Sequence, residues 1–382
     1  MAVALILYAV GGSPTPDQFS WIEISIALLL VPLLRWPRPA DVMRPAGLFL
    51  MYGLSVPVIS GLVKGHDPVA VLRDCIAFVF LCLPILMTQR LAPSGADASR
   101  WLSRLIVMIG VMFSVRTLWP YRENLLQPAA WLGQPPADLL YLANSPEVLF
   151  AAILLGGGGL YEVWRGRRTL LGLAMGALAA LPLLAMAVMG QRAGLGCVVL
   201  ALTLLGVAGL WQKPGRTIMV GVMVAGLAVL GATFLTSLMD GLIQKTELVG
   251  LNSRAQEWDA VLTILGQNPA LTLFGTGWGA SFENPAVAGL PVTFTHSLIS
   301  SIWLKSGVIG LTLLAFYLLD MAKQAVPELW KRPVLALAMA APLAVGLVLY
   351  ASYKSLGFGL LLLLCASFFR IEKLDKNQRD MA

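Results

Sequence analysis

His296 is one of only two histidines in 382 residues, and it stands in THSLISSIWLKSGVIG, where a polar stretch gives way to a long apolar run. An imidazole at such a boundary is anchored on one side and wet on the other, which suits a general base working near neutral pH. Upstream, Arg254 lies in NSRAQEW. Ser253 through Gln256 fit the S-x-x-Q capping pattern, so a helix is predicted to start at Ser253. Along it Trp258, Val261, Leu262 and Leu265 form an apolar stripe, with Arg254 one turn before Trp258 on the same face. The expectation is a helix lying on the membrane surface, its arginine turned towards the protein. Arg73 in VLRDC, Arg116 in SVRTLW and Arg192 in MGQRAGLG lie near the ends of apolar runs. Charges at such depth are costly unless they face a cavity or a partner. Guanidiniums gathered on one side of a membrane suit a diphosphate, which they grip bidentately.

Other conspicuous residues have plainer readings. His66, in GLVKGHDP, reads as a solvated loop residue, and Lys305, inside an apolar run, as structural or snorkelling rather than catalytic. The GTGWG segment at 275–279 reads as a flexible turn. Its functional reading offers backbone N–H groups to an anion and Trp278 as a stacking surface for a sugar. If the polar loop runs straight into a helix at Thr295 or His296, helical spacing places His296, Ser300, Trp303, Gly307 and Gly310 on one face, with Lys305 opposite. The two glycines would then admit a neighbouring helix closely enough to hold the histidine's helix rigid.

The elements that must position these groups are membrane helices. The chain is 58% hydrophobic and 12% charged, with a mean hydropathy of +0.79. A soluble domain carries about a quarter charged residues, so this composition indicates an integral membrane protein. The net charge of +7 is explained by basic loops on one side of the membrane, since no basic block interleaved with aromatics argues for nucleic-acid binding. Cys75, Cys82, Cys197 and Cys365 fall in or beside apolar runs without CxxC spacing and read as small buried hydrophobes.

Apolar run lengths predict spans near 21–34, 45–62, 69–89, 101–119, 144–164, 169–188, 193–211, 217–236, 298–319, 333–351 and 356–370, with a twelfth candidate at 2–12. This is an all-α polytopic membrane protein with about 11–12 transmembrane helices, one domain over 1–382. Eighteen of the 27 Lys and Arg residues fall on one side of this layout, from Arg35 and Arg38 to Arg370, Lys373, Lys376 and Arg379. That side is therefore cytoplasmic, and the long loop at 237–297 faces out.

The residues now on the page resemble the O-antigen ligase and polymerase superfamily of bacterial multispanning glycosyltransferases. His296-Ser297, nine residues, then Gly307-Val308-Ile309-Gly310 fit the ligase pattern H-[NSQ]-x9-G-x-x-[GTY]. NSRAQEW and GQNPALTLFGTGWG are similar to the family's large periplasmic loop, although Trp258 stands where ligase loops usually carry the leucine of R-x3-L. The resemblance implies an undecaprenyl-diphosphate-linked glycan as donor, a lipid or glycan acceptor, a site at the periplasmic face of the bacterial inner membrane, and neither metal nor nucleotide sugar. The residues agree: His296 would deprotonate an acceptor hydroxyl, and Arg73, Arg192 and Arg254 would neutralise the diphosphate leaving group. No D-x-D pair occurs, so no metal and no cofactor is expected. Direct displacement would invert the anomeric centre. Ligation of the glycan to lipid A-core is the preferred reading. A polymerase of the same superfamily and a transporter or lipid flippase are the alternatives, the last disfavoured because the misplaced arginines gather at one side.

Overall fold

The structure is a computed structural model that describes residues 1–13, 21–91, 95–123, 136–166, 168–230, 236, 239–240, 243, 253–287 and 289–368. Most of the linker at 237–252, with Lys245, and the basic tail carrying Arg370, Lys373, Lys376 and Arg379 lie outside the described residues, as does Arg167.

The chain is built almost wholly of helices. The first seven are α1 (Ala2–Gly11), α2 (Trp21–Leu30), α3 (Pro39–Val42), α4 (Pro45–Gly53), α5 (Val56–Val63), α6 (Pro68–Leu81) and α7 (Leu83–Leu91). There follow α8 (Gly95–Leu118), α9 (Ala137–Ala143), α10 (Pro146–Arg165), α11 (Thr169–Val188), α12 (Arg192–Gln212) and α13 (Pro214–Leu230). Beyond the linker come α14 (Ser253–Gly266), α15 (Pro269–Phe274), strands β1 (Phe282–Asn284) and β2 (Leu290–Val292), then α16 (Leu298–Trp330), α17 (Pro333–Val348) and α18 (Leu356–Ser367). The strands pair antiparallel, with Phe282 opposite Val292 and Asn284 opposite Leu290.

Local sequence sets many of the helix starts. Proline occupies the first helical position of α4, α6, α10, α15 and α17, where its missing N–H is not needed. The side chains of Asp67, Asn268, Ser297 and Ser355 accept hydrogen bonds from backbone N–H groups in the first turns of α6, α15, α16 and α18. Packing then separates the helices by depth. Every residue of α18, LGFGLLLLLCAS, is buried among α6, α7, α8, α10, α16 and α17, the position expected of a helix apolar on all sides. By contrast α12 and α13 expose apolar side chains such as Val199, Leu200, Val222 and Val224, as lipid-facing helices do.

Among the described residues, six helical runs are long and apolar enough to cross a membrane: 45–63, 98–121, 146–165, 169–188, 192–212 and 298–330. The protein is thus an all-α polytopic membrane protein. Over the described residues the expected spans coincide with helices, but several are interrupted or short. Span 45–62 is split between α4 and α5, span 69–89 breaks at Cys82, and α1, α17 and α18 run 10, 16 and 12 residues. Length alone therefore qualifies fewer than the eleven or twelve expected.

The break that matters most lies inside α16. Gly307 has φ 65° and ψ −169°, which interrupts the helix between 298–306 and 308–330. An interruption strands carbonyls that would have accepted from the following turn, and buried carbonyls must find other donors. They do so on the GTGWG segment. Thr276 N–H donates to Leu304 O at 2.8 Å and Gly277 N–H to Lys305 O at 3.0 Å, while the Tyr52 hydroxyl donates to Ser306 O at 2.8 Å. The expected flexible turn is a backbone strap. Its far side is held by Lys64 on the carbonyls of Gly275 and Thr276, by Pro57 O accepting from Trp278 N–H, and by Asp74 accepting from Gly279 N–H. Gly277, at φ 93°, lies so close to the Gly61 backbone that no side chain fits.

Candidate active site

Two segments meet to form the site. As the capping pattern predicts, α14 begins at Ser253, and Arg254 and Glu257 lie one turn apart on it. The stripe that follows does not rest free on a membrane surface: Val261 and Leu265 are buried against Phe282 of β1 and Leu304 of α16. Trp258 meets Trp303 edge to face, ring centroids 6.0 Å apart. Leu262 alone of the stripe is largely exposed. The second segment, Thr293 to Ser297, leads into α16. Thr295 is fixed on both sides, its carbonyl accepting from the Tyr353 hydroxyl at 3.2 Å and its own hydroxyl donating to Ser297 O at 3.0 Å. Ser297 caps α16 through Ser300 N–H. His296 therefore precedes the helix rather than riding on it, and the predicted shared face with Ser300 and Trp303 does not form, because the Ser297 cap defines a start two residues later.

Held between these pinned neighbours, His296 is gripped by Glu257. The carboxylate Oε1 accepts the His296 backbone N–H at 2.8 Å, and Oε2 lies 2.5 Å from ring Nδ1. Glu257 is buried, with 2% of its side chain exposed against 12% for the histidine. Asn284 at the end of β1 donates to the same Oε2 at 2.8 Å. Burial would raise the Glu257 carboxyl, but the hydrogen bonds and charge of His296, with Asn284, outweigh it and hold the group below its ordinary value. Phe294 packs edge-on against the imidazole, centroids 5.6 Å apart. Arg254 stands at the same place, where the charge of Glu257 and the neighbouring Tyr350 reach it. Its Nη1 is buried without a hydrogen-bond partner among the described residues. Burial lowers its pKa and Glu257 opposes that shift. A buried guanidinium N–H with no acceptor is costly unless an anion arrives to use it.

Residues 177–315 match the family model described as O-antigen ligase. That match supports the O-antigen ligase and polymerase superfamily for this chain. No curated protein and no solved structure matches it. The matched segment covers over a third of the chain, from within α11 to the first part of α16, and includes both halves of the site just described. The match supports a ligase- or polymerase-type membrane glycosyltransferase activity and implies lipid and glycan substrates.

Within this O-antigen ligase-type fold the residues picked out by sequence have different fates. Arg254 and His296 come together, joined by Glu257. Arg192 opens α12, which packs chiefly on α10, α11, α13 and α17. Arg73 is half-buried on α6 and does not pair with its neighbour Asp74, whose partners are Lys305 and Lys354. Arg116 is a correction: its guanidinium donates to Ala9 O at 3.2 Å and Gly12 O at 2.7 Å, closing the end of α1 rather than facing the site. Trp278 is a second correction. Its indole is 3% exposed, packs on Phe78 and donates to Gly53 O at 2.7 Å, so it offers no free face to a sugar. His66 is not simply solvated either, since its Nδ1 bonds Trp278 O at 2.9 Å and helps fasten the strap. Of the two readings of Lys305 the structural one holds and snorkelling does not: fully buried, it pairs with Asp74 and donates to Thr293 O. Glu257 is a site residue that the sequence analysis does not single out. The available signal was its position three residues after Arg254 on a capped helix, which puts both on one face.

Proposed function

We propose that the protein transfers a glycan from undecaprenyl diphosphate to an acceptor hydroxyl at the periplasmic face of the bacterial inner membrane, with ligation to lipid A-core preferred over polymerisation. The observation that carries this reading is a carboxylate-held imidazole near Arg254, whose buried Nη1 has no hydrogen-bond partner among the described residues. The acceptor oxygen attacks the anomeric carbon from the face opposite the diphosphate, so the configuration inverts. As the new C–O bond forms and the bond to the diphosphate oxygen breaks, the acceptor proton passes to His296 and later to water. The leaving group departs as an anion and needs positive charge rather than a proton, which Arg254 supplies, with Arg192 as a further donor contact. Arginines in this role make a divalent metal unnecessary.

Purified protein given a lipid-linked glycan and lipid A-core tests this directly. His296→Ala should lower transfer by about 10²-fold or more while the protein remains folded in the membrane. Near-normal transfer by that variant overturns the base assignment. A ligase joins the glycan to lipid A-core. Lengthening of the lipid-linked glycan without acceptor would instead identify a polymerase.

A further inference from the structure

We propose that Glu257 is a positioning residue that holds His296 in one tautomer, with the proton on Nδ1 and the lone pair of Nε2 presented to the acceptor hydroxyl. The inference rests on the reading of His296 as the base and deepens it. The ring's position does not by itself choose between its nitrogens; its hydrogen bonds do. An ionised carboxylate only accepts, so at 2.5 Å from Oε2 the ring must donate through Nδ1–H. Among the described residues this is the ring's only hydrogen bond. Glu257 is kept ionised in a buried place by three donors, the His296 ring, the His296 backbone and Asn284. Asn284 is itself fully buried and fixed: its Oδ1 accepts Ala286 N–H at 2.9 Å and its Nδ2 also donates to Phe294 O at 3.3 Å. Its amide is therefore oriented with the donor towards Glu257. When the acceptor proton reaches Nε2, the resulting imidazolium stands against the carboxylate, which stabilises it without taking a proton.

This arrangement makes the effect of Glu257→Gln specific. An amide has one acceptor oxygen where the carboxylate has two. If that oxygen stays at the Oε2 position, the NH2 is forced against the His296 backbone N–H, pinned between Thr295 and Ser297. If the oxygen takes the Oε1 position, the NH2 faces Nδ1 and the ring must move its proton to Nε2 to accept. The second arrangement moves the donor clash from the pinned His296 backbone to the Asn284 amide, a side chain that can turn where the backbone cannot, and it blocks the nitrogen that does the chemistry.

The test uses the full chain in lipid nanodiscs with ¹⁵N-labelled histidine rings, at about pH 8, above the ordinary histidine range. Only His66 and His296 contribute signals, and a His66→Gln variant assigns them. The expected spectrum shows His296 with Nδ1 protonated and Nε2 bare, and Glu257→Gln should reverse this. The same variant should lose about 10²- to 10⁴-fold in kcat, the contribution of a general base, the upper end being the loss seen when a triad histidine is put in the wrong tautomer. KM for the lipid-linked donor should not rise, because Arg254 is untouched. Nδ1 unprotonated in the unmodified protein overturns the proposal without any variant, as does an unchanged kcat in a folded Glu257→Gln protein. If His296→Ala stays active, the base reading fails, yet the tautomer measurement still tests the Glu257 contact separately.

Discussion

Replacing Gly307 by alanine attacks the feature on which the site's geometry depends. At φ 65° and ψ −169° the residue occupies a region essentially reserved for glycine, where any other residue costs about 1–3 kcal/mol. A Cβ there would also run into the Leu273 carbonyl and the Phe274 nitrogen, which are backbone atoms and cannot turn aside. Forced overpacking adds about 1–3 kcal/mol, so the break survives only at a cost of about 2–6 kcal/mol. The alternative is for alanine, a strong helix former, to close the helix. The carbonyls of Leu304, Lys305 and Ser306 would then accept from residues 308, 309 and 310. Thr276 N–H, Gly277 N–H and the Tyr52 hydroxyl would lose their acceptors, at about 1–3 kcal/mol for each buried donor. Both routes are destabilising by several kcal/mol, and the second also shifts the turns below His296. Gly176→Ala is the control, a position inside α11 with open space around it, where the change should be neutral or gain up to about 1 kcal/mol. Thermal unfolding in nanodiscs and glycan transfer would both be measured. Gly307→Ala with the stability and transfer of Gly176→Ala would refute the reasoning.

Four other outcomes are expected. Asp74→Ala, which leaves Lys305 and Lys354 buried without their shared carboxylate, should cost about 3–5 kcal/mol and more than Lys305→Met, after which Lys354 and Gly279 N–H still engage Asp74; denaturation of the two variants checks the order. Arg116→Ala should lower thermal stability without changing donor affinity, whereas Arg254→Lys should weaken donor binding because it keeps the charge and loses the fork; binding titrations separate the two. Transfer should persist in excess EDTA, and loss of activity restored by Mg²⁺ or Mn²⁺ would contradict the role given to Arg254. Because the Glu257 carboxyl is held below its ordinary value, its pairing stabilises fully above the unfolded value of about 4.3 and is lost as pH falls through the lower folded value, so the stability gap between the unmodified protein and Glu257→Gln should close below about pH 4.

The membrane character of the chain was legible because hydrophobic run length is a one-dimensional property. Interruptions were not, because they depend on donors brought from elsewhere: nothing near Gly307 in sequence announces that Thr276, Gly277 and Tyr52 will serve the broken turn. The same blindness made 275–279 look like a flexible turn, since its contacts run through backbone atoms and its glycines signal only permissiveness. Arginine placement showed which residues are expensive to bury without showing what each one faces. Arg254 and Arg116 look alike in sequence, yet one lies within reach of the Glu257 charge while the other closes the end of α1. Helical phase misplaced His296 because it assumed a start at 295 or 296, and one capping serine moves that start to Leu298.

That correction gives the spacing of the family pattern a physical meaning. Ser297 caps, residues 298–306 make two and a half turns, about 13.5 Å at 1.5 Å per residue, and Gly307 breaks the helix. The strap that satisfies the break continues through Ala280 into β1, where Asn284 bonds the carboxylate that holds His296. One end of the nine-residue helix thus carries the base, and the other end anchors the chain that positions the base's partner. Adding or removing a residue between Ser297 and Gly307 would rotate the break by about 100° relative to the cap. Leu304 and Lys305 would turn away from the strap, and the support for Asn284 and Glu257 would go with them. The nine-residue interval is set by the requirement that cap and break face the same strap, so it constrains catalysis through geometry although none of the nine side chains need touch the substrate.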